Sequence, residues 1–174
     1  MLGDLLIVTD MLRGFCEEGH ALYCGPQVRA IIPFVRARVA AYDAAGKRTL
    51  FLVDNHAPDD LEFQRFPPHS IEGSAEQEVI PELAEWADPE RIVHKTRYGG
   101  FYGTDLEERV RAIQPSLVEL NGVCSNICVL YTVEEFCNRD IATQVPRAGV
   151  TSFDLAGHEW ALKQMESVLG AKVF

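Results

Sequence analysis

Leu5-Leu6-Ile7-Val8-Thr9-Asp10 decides the reading of the fold. A short, unbroken apolar run of this kind reads as a buried strand, covered on both faces, and it ends on a carboxylate. The pattern returns at Thr49-Leu50-Phe51-Leu52-Val53, which ends on Asp54, and at Ile92-Val93-His94, which ends on Lys95. It returns again from Leu117 to Leu120, closed by Asn121-Gly122, and from Ile141 to Val145. Lys172-Val173-Phe174 adds a short edge strand. Between these runs the apolar period changes to three and four. Val28, Ile31, Ile32, Val35 and Val39 place a helix over Pro26 to Ala45, stopped by Gly46, with Pro33 positioned to bend or interrupt its first turns. Thr104-Asp105-Leu106-Glu107 has the spacing of a capping box. Ser125 to Asn138 reads as a helix, and Asp154 caps another that runs to Leu169. Strand and helix alternate from end to end, which means an α/β fold with a parallel sheet covered on both faces. Such sheets carry their chemistry at the carboxyl ends of the strands. The polar groups found there are Asp10, Asp54, Lys95 and the Cys124–Cys128 turn.

Composition narrows the function classes. The 174 residues predict one domain, 1–174, at about 150 residues per domain. With 47% hydrophobic and 24% charged residues the chain is ordinary for a globular protein, so disorder is excluded as its main character. At this length the core needs neither disulfide nor metal to hold it. Asp and Glu number 26 against 16 Lys and Arg, a net charge of −10, which argues against nucleic acid or an anionic membrane as partner. The apolar run near the start falls far short of the ~20 residues of a membrane span. No basic region leads there into a signal-length apolar stretch, so the expected location is the cytoplasm. Cys16, Cys24, Cys124, Cys128 and Cys137 include no CxxC pair. Their odd number reads as free thiols, with a zinc knuckle the rejected alternative.

Three groups of residues carry chemistry. Cys128 lies in Gly122-Val123-Cys124-Ser125-Asn126-Ile127-Cys128, where a strand turns into a helix. A thiol in the first helical turn meets the positive end of the backbone dipole and free N–H groups, which favour thiolate and can hold an oxyanion. The plainer role is that of a small buried hydrophobe, and Cys124 is the rival within the turn. Asp10 is placed to take a thiol's proton, and Lys95 to keep that carboxylate ionised. The structural alternative is an ion pair tying two strand ends. The long loop from Asn55 to Ser74 has a length that is usually functional. Asp54 and His56, then Glu62, then His69 after Pro67 and Pro68, offer carboxylate and imidazole donors suited to zinc, iron or manganese. The alternative is a set of solvated loop residues.

Asp10, the stretch from His94-Lys95 to Asp105-Leu106 and the turn Gly122 to Val129 together resemble the isochorismatase-like cysteine hydrolases. Asp54-Asn55-His56 with Phe66-Pro67-Pro68-His69 is similar to the nicotinamidase branch, which usually shows Trp-Pro-Pro-His. The resemblance runs from Leu5 to about Trp160. It implies a Rossmann-like three-layer α/β/α domain with a six-stranded parallel sheet. It implies Cys128 as nucleophile, Asp10 as general base and Lys95 as electrostatic partner. It further implies a cis peptide before Cys124, with the N–H groups of Cys124 and Cys128 as the oxyanion hole. Asp54, His56 and His69 would hold one divalent metal, zinc first and iron or manganese as alternatives, with Glu62 matching a fourth ligand. Phe15, Phe66 and Tyr102 would line the ring pocket. The implied activity is metal-dependent hydrolysis of a small-molecule amide, nicotinamide, to nicotinate and ammonia through a thioester. The implied assembly is a homo-oligomer. The chain departs from the branch at Leu12, where many nicotinamidases carry Gln, at Phe66, and at Cys124-Ser125-Asn126, where Ala-Thr-Asp is common. These departures bear on the substrate. They keep in view a sister hydrolase acting on a carbamoyl or ureido compound. A catalytically silent binding protein is the reading from another class, and the intact Asp10, Lys95 and Cys128 oppose it.

Overall fold

In the computed structural model, which describes residues 2–174, the opening apolar run is the central strand. β1 (Leu5–Thr9) pairs in parallel with β2 (Arg48–Asp54) on one side and β4 (Leu117–Gly122) on the other. β3 (Ile92–Lys95) extends the sheet beyond β2, and β5 (Ala142–Val145) and β6 (Lys172–Val173) extend it beyond β4. The six strands stand in the order β3-β2-β1-β4-β5-β6. The chain therefore builds outward from β1 in one direction, then returns and builds in the other. The two halves part between β1 and β4, and a crevice opens there at the carboxyl ends of the strands.

Alternation within each strand feeds two cores. Leu5, Ile7, Leu50, Leu52, Val118 and Leu120 face one side. There they meet α3 (Leu106–Ile113), α4 (Leu130–Cys137) and α5 (Leu155–Ser167), whose buried residues belong to the same cluster. Leu6, Val8, Phe51 and Val53 face the other side, against α1 (Arg13–Cys16) and α2 (Pro26–Ala44). That is the three-layer arrangement expected.

Several local expectations are refined. α2 runs unbroken through Pro33, which sits on the exposed face. The carbonyl that Pro33 leaves unpaired, that of Arg29, belongs to a residue also on that face, so water can satisfy it. The capping box does not close. Thr104 Oγ1 accepts from the Leu106 amide at 3.1 Å, but Glu107 turns outward to Arg111 and Arg139. The helix expected from Ser125 begins as a wide π turn, Ser125–Val129, and becomes α-helical only at Leu130. The long loop is ordered by a 3₁₀ turn at Leu61–Gln64 and a bridge between His56 and Ile71.

Candidate active site

Four strand ends meet at the crevice. Asp10 leaves β1 in the left-handed region, φ 52°, a conformation that costs energy for a residue with a Cβ. Its amide donates to the Leu52 carbonyl at 2.9 Å, and its Oδ1 accepts from the Asp54 amide at 3.1 Å. The neighbouring strand β2 thus aims the carboxylate. Lys95, at the end of β3, is 1% exposed. Its Nζ lies 2.8 Å from Asp10 Oδ2 and 3.6 Å from Cys128 Sγ, and it also donates to Asp54. An ammonium has three protons, and Lys95 finds three partners. The acid, cation and thiol that the sequence singled out are one cluster.

The electrostatics correct one expectation. Burial pushes the Cys128 thiol well above its ordinary value, and the nearby Lys95 only opposes this. The resting group is a thiol, because the loss of water outweighs the helix-start position. Burial, followed by the Asp54 carboxylate, raises Asp10 to about 6 against the pull of Lys95. Burial works against the Lys95 ammonium, yet Asp10 and Asp54 outweigh it and hold its proton well above the usual lysine range. The base is therefore stronger than an ordinary carboxylate, and the cation beside it stays charged.

Gly122 makes the turn after β4. Its φ is 114°, and a Cβ there would fall 2.0 Å from the Thr9 carbonyl oxygen, so only glycine lets β4 lie this close to β1. The next peptide bond, Val123–Cys124, is cis, as the resemblance implies. The amides of Ile127 and Val129 both donate to the Cys124 carbonyl, at 3.0 and 3.2 Å. The Cys124 side chain lies 3.5 Å from Cys24 Sγ, away from Lys95's set of partners.

Asp54, His56 and His69 form a second group, all buried, with one ligand atom from each within 4.8 Å of the others. His69 Nδ1 donates to the Pro67 carbonyl at 2.9 Å, which leaves Nε2 as a free lone pair 3.7 Å from Asp54 Oδ2. His56 Nδ1 is 3.0 Å from Asp60 Oδ2, and its Nε2 is 3.8 Å from Asp54 Oδ2 with no hydrogen-bond partner. A buried imidazole nitrogen without a partner calls for a ligand. Outer hydrogen bonds that fix each ring's orientation are the usual support of a metal site. Neutral imidazoles with a carboxylate are donors that zinc, iron or manganese accept, so the residues fit the expected ion. Glu62 is 4% exposed, and its Oε2 also has no hydrogen-bond partner. It lies outside the close trio, at the cavity wall.

Asp10 and Cys128 from the first group and Asp54 and His69 from the second line one cavity of about 320 Å³. Phe15 and Phe66 line it. Tyr102 does not: it is 66% exposed and stands outside. Gly99-Gly100 and the turn at Gly103 carry it away from the cavity, and Tyr98 takes the wall position, stacked on Tyr131 and edge-on to Phe66. Leu22, Tyr23, Ile127 and Phe153 complete the apolar wall, and none was singled out from sequence. Loop residues have no hydrophobic period that would reveal them. Asp10, Asp54 and Glu62 are the charged residues of the lining, which holds no Arg or Lys among the described residues.

The Isochorismatase domain family model matches residues 4–173 of this chain. PncA of Bacillus subtilis strain 168, described as an uncharacterized isochorismatase family protein, is 32% identical over 177 residues, 97% of each chain. Among solved structures, the nicotinamidase/pyrazinamidase PncA from Bacillus subtilis has a TM-score of 0.92 at 34% identity, covering 99% of both chains. The pyrazinamidase of Pyrococcus horikoshii, solved in complex with zinc, has a TM-score of 0.86 at 27% identity, covering 98% of this chain and 97% of that one.

Proposed function

The chain belongs to the isochorismatase family as an amide hydrolase, and from that premise we propose that it is a metal-dependent nicotinamidase. The observation that carries this reading is that Asp10 and Cys128 line the same cavity as Asp54 and His69, while the buried Lys95 behind it touches both carboxylates.

Asp10 takes the proton of the Cys128 thiol as sulfur attacks the amide carbon. Lys95 balances the charge that gathers on sulfur. The backbone amides of Cys124 and Cys128 receive the tetrahedral oxyanion. Protonated Asp10 returns its proton to the departing nitrogen, and ammonia leaves a thioester on Cys128. Asp10 then activates the water that hydrolyses the thioester to the acid. Asp54, His56 and His69, with Glu62 at the margin, would hold a divalent ion, which would supply a Lewis-acid site for a ring nitrogen and so help orient the substrate.

The lining favours this substrate over those of the sister hydrolases. A ureido or carbamoyl acid brings a carboxylate, whose partner away from the metal group would be an Arg or Lys side chain. The titratable groups lining the cavity beside the cysteines and tyrosines are Asp10, Asp54, Glu62 and His69. A neutral aromatic amide instead meets Phe15, Phe66 and Tyr98. An ammonia-release assay over nicotinamide, pyrazinamide and small ureido acids decides the matter. The reading expects turnover of the two ring amides. Turnover of ureido acids alone would move the protein to the sister branch, and no ammonia from any of them would favour a silent binding protein.

A further inference from the structure

Ser125 stands between Cys124 and Cys128, is fully buried, and takes no part in lining the cavity. Its polar groups leave the turn for two partners, one just before α5 and one within it. Its amide donates to the Thr151 carbonyl at 2.8 Å, and its hydroxyl shares a 2.8 Å hydrogen bond with Nδ1 of His158, near the start of α5. Asn126 is held from the same side, where Ser152 Oγ donates to its Oδ1 at 2.6 Å. The approach to α5 is itself pinned. Asp154 Oδ1 accepts from the Gly157 amide at 2.9 Å, and the Asp154 amide donates to Ser152 Oγ at 3.2 Å. Burial, with help from Arg147 and against Glu159, lowers His158 below the ordinary histidine range, so the ring stays neutral around neutral pH. His158 lines no part of the cavity.

We propose, resting on the hydrolase reading, that His158 is a positioning residue: through Ser125 it fixes the backbone of the Cys124–Cys128 turn, and with it the nucleophile and the two amides that receive the oxyanion. Within the turn, Ile127 and Val129 are tied to the Cys124 carbonyl, which leaves Ser125 and Asn126 to be held from outside. An oxyanion donor acts only at hydrogen-bond distance from an oxygen that exists in the transition state. A loosened turn therefore lowers kcat more than it raises KM.

The test is steady-state ammonia release from nicotinamide by the wild type and by His158→Ala, His158→Asn, His158→Gln and Ser125→Ala. His158→Ala should lower kcat about 10–100-fold, with KM within about threefold of wild type. The amide of Asn reaches the position of Nδ1, so His158→Asn should recover most of the loss. The amide of Gln lies one atom farther out, so His158→Gln should not. Ser125→Ala should match His158→Ala, and the double variant should be no worse than either, because both remove one bond. Circular dichroism checks folding, and if His158→Ala fails to fold, the Asn and Gln variants carry the comparison. Unchanged kcat in His158→Ala, or equal behaviour of Asn and Gln, overturns the proposal. A wild type inert toward nicotinamide but active on another amide moves the same series to that amide. A wild type inert toward every amide overturns the hydrolase reading, and the positioning role with it.

Discussion

Cys128 and Cys124 share a turn, are both buried and both line the cavity, but only Cys128 lies beside an ammonium. What each side chain touches separates them: Cys128 meets Lys95, and Cys124 meets Cys24. Cys128→Ala should abolish turnover, whereas Cys124→Ala, which keeps the backbone amide, should retain substantial activity; steady-state kinetics of the two variants check this. Asp10→Asn preserves shape and removes the base. Its turnover should fall by about 10²–10⁴, and Lys95→Ala should be similarly impaired because Asp10, Asp54 and the developing thiolate then face one another unbalanced. Either variant within tenfold of wild type would make the pair a structural tie. These three residues were legible in the sequence because each follows, or closes the turn after, an apolar strand. The protonation of Cys128 was not legible. It depends on burial, which only the tertiary structure supplies. The choice of Tyr98 over Tyr102 was hidden for a related reason, since a glycine-rich turn has no periodicity to say which aromatic points inward.

At the scale of elements, the loop that carries His56 and His69 is organised around Asp60. Asp60 caps the 3₁₀ turn by accepting from the Glu62 amide at 2.8 Å, holds His56 Nδ1, and is itself held by Arg97 at 3.0 Å. Asp60→Ala frees the His56 ring and should weaken zinc binding about 10–100-fold, read by competition with a chromophoric chelator. Unchanged affinity would mean that the histidines do not hold the ion as described. The pattern Asp54, His56 and His69 was visible from residue types alone. The role of Asp60 was not, because an acid in a solvated loop carries no sign of the ring it will meet. The same holds for His158, which lies 33 residues from Ser125 and joins it only through the packing of α5 on the catalytic turn.

The whole molecule places its chemistry where the strand order reverses, and a second polar group sits within the same sheet. Glu119 of β4 is 0% exposed and is answered by Arg38 from α2, with Nε 2.7 Å from Oε1, and by Asn121 and Gln144. Arg38→Ala leaves that carboxylate without its cation. Stability should drop by about 3 kcal/mol, measured by urea unfolding, while the cavity and its chemistry stay in place. An unchanged midpoint would show that the amides suffice. The strand order itself follows from the apolar runs and the alternation of strands with helices. Closure of the site does not, because much of the cavity wall comes from Ala21 to Cys24, Phe66, His69, Tyr98 and Phe153, which lie outside the strands and helices.

The central claim joins the catalytic cluster to the metal loop through one substrate. Benzamide has the ring and the amide of nicotinamide but no ring nitrogen, so it reads the loop separately from the thiol. The direct measurement is kcat/KM for nicotinamide and for benzamide, on zinc-loaded protein and again after chelation. A large preference for nicotinamide should appear and collapse when the metal is removed, mainly through a rise in KM. Metal-free protein that discriminates as well as the loaded form would contradict it, as would loaded protein that does not tell the two amides apart.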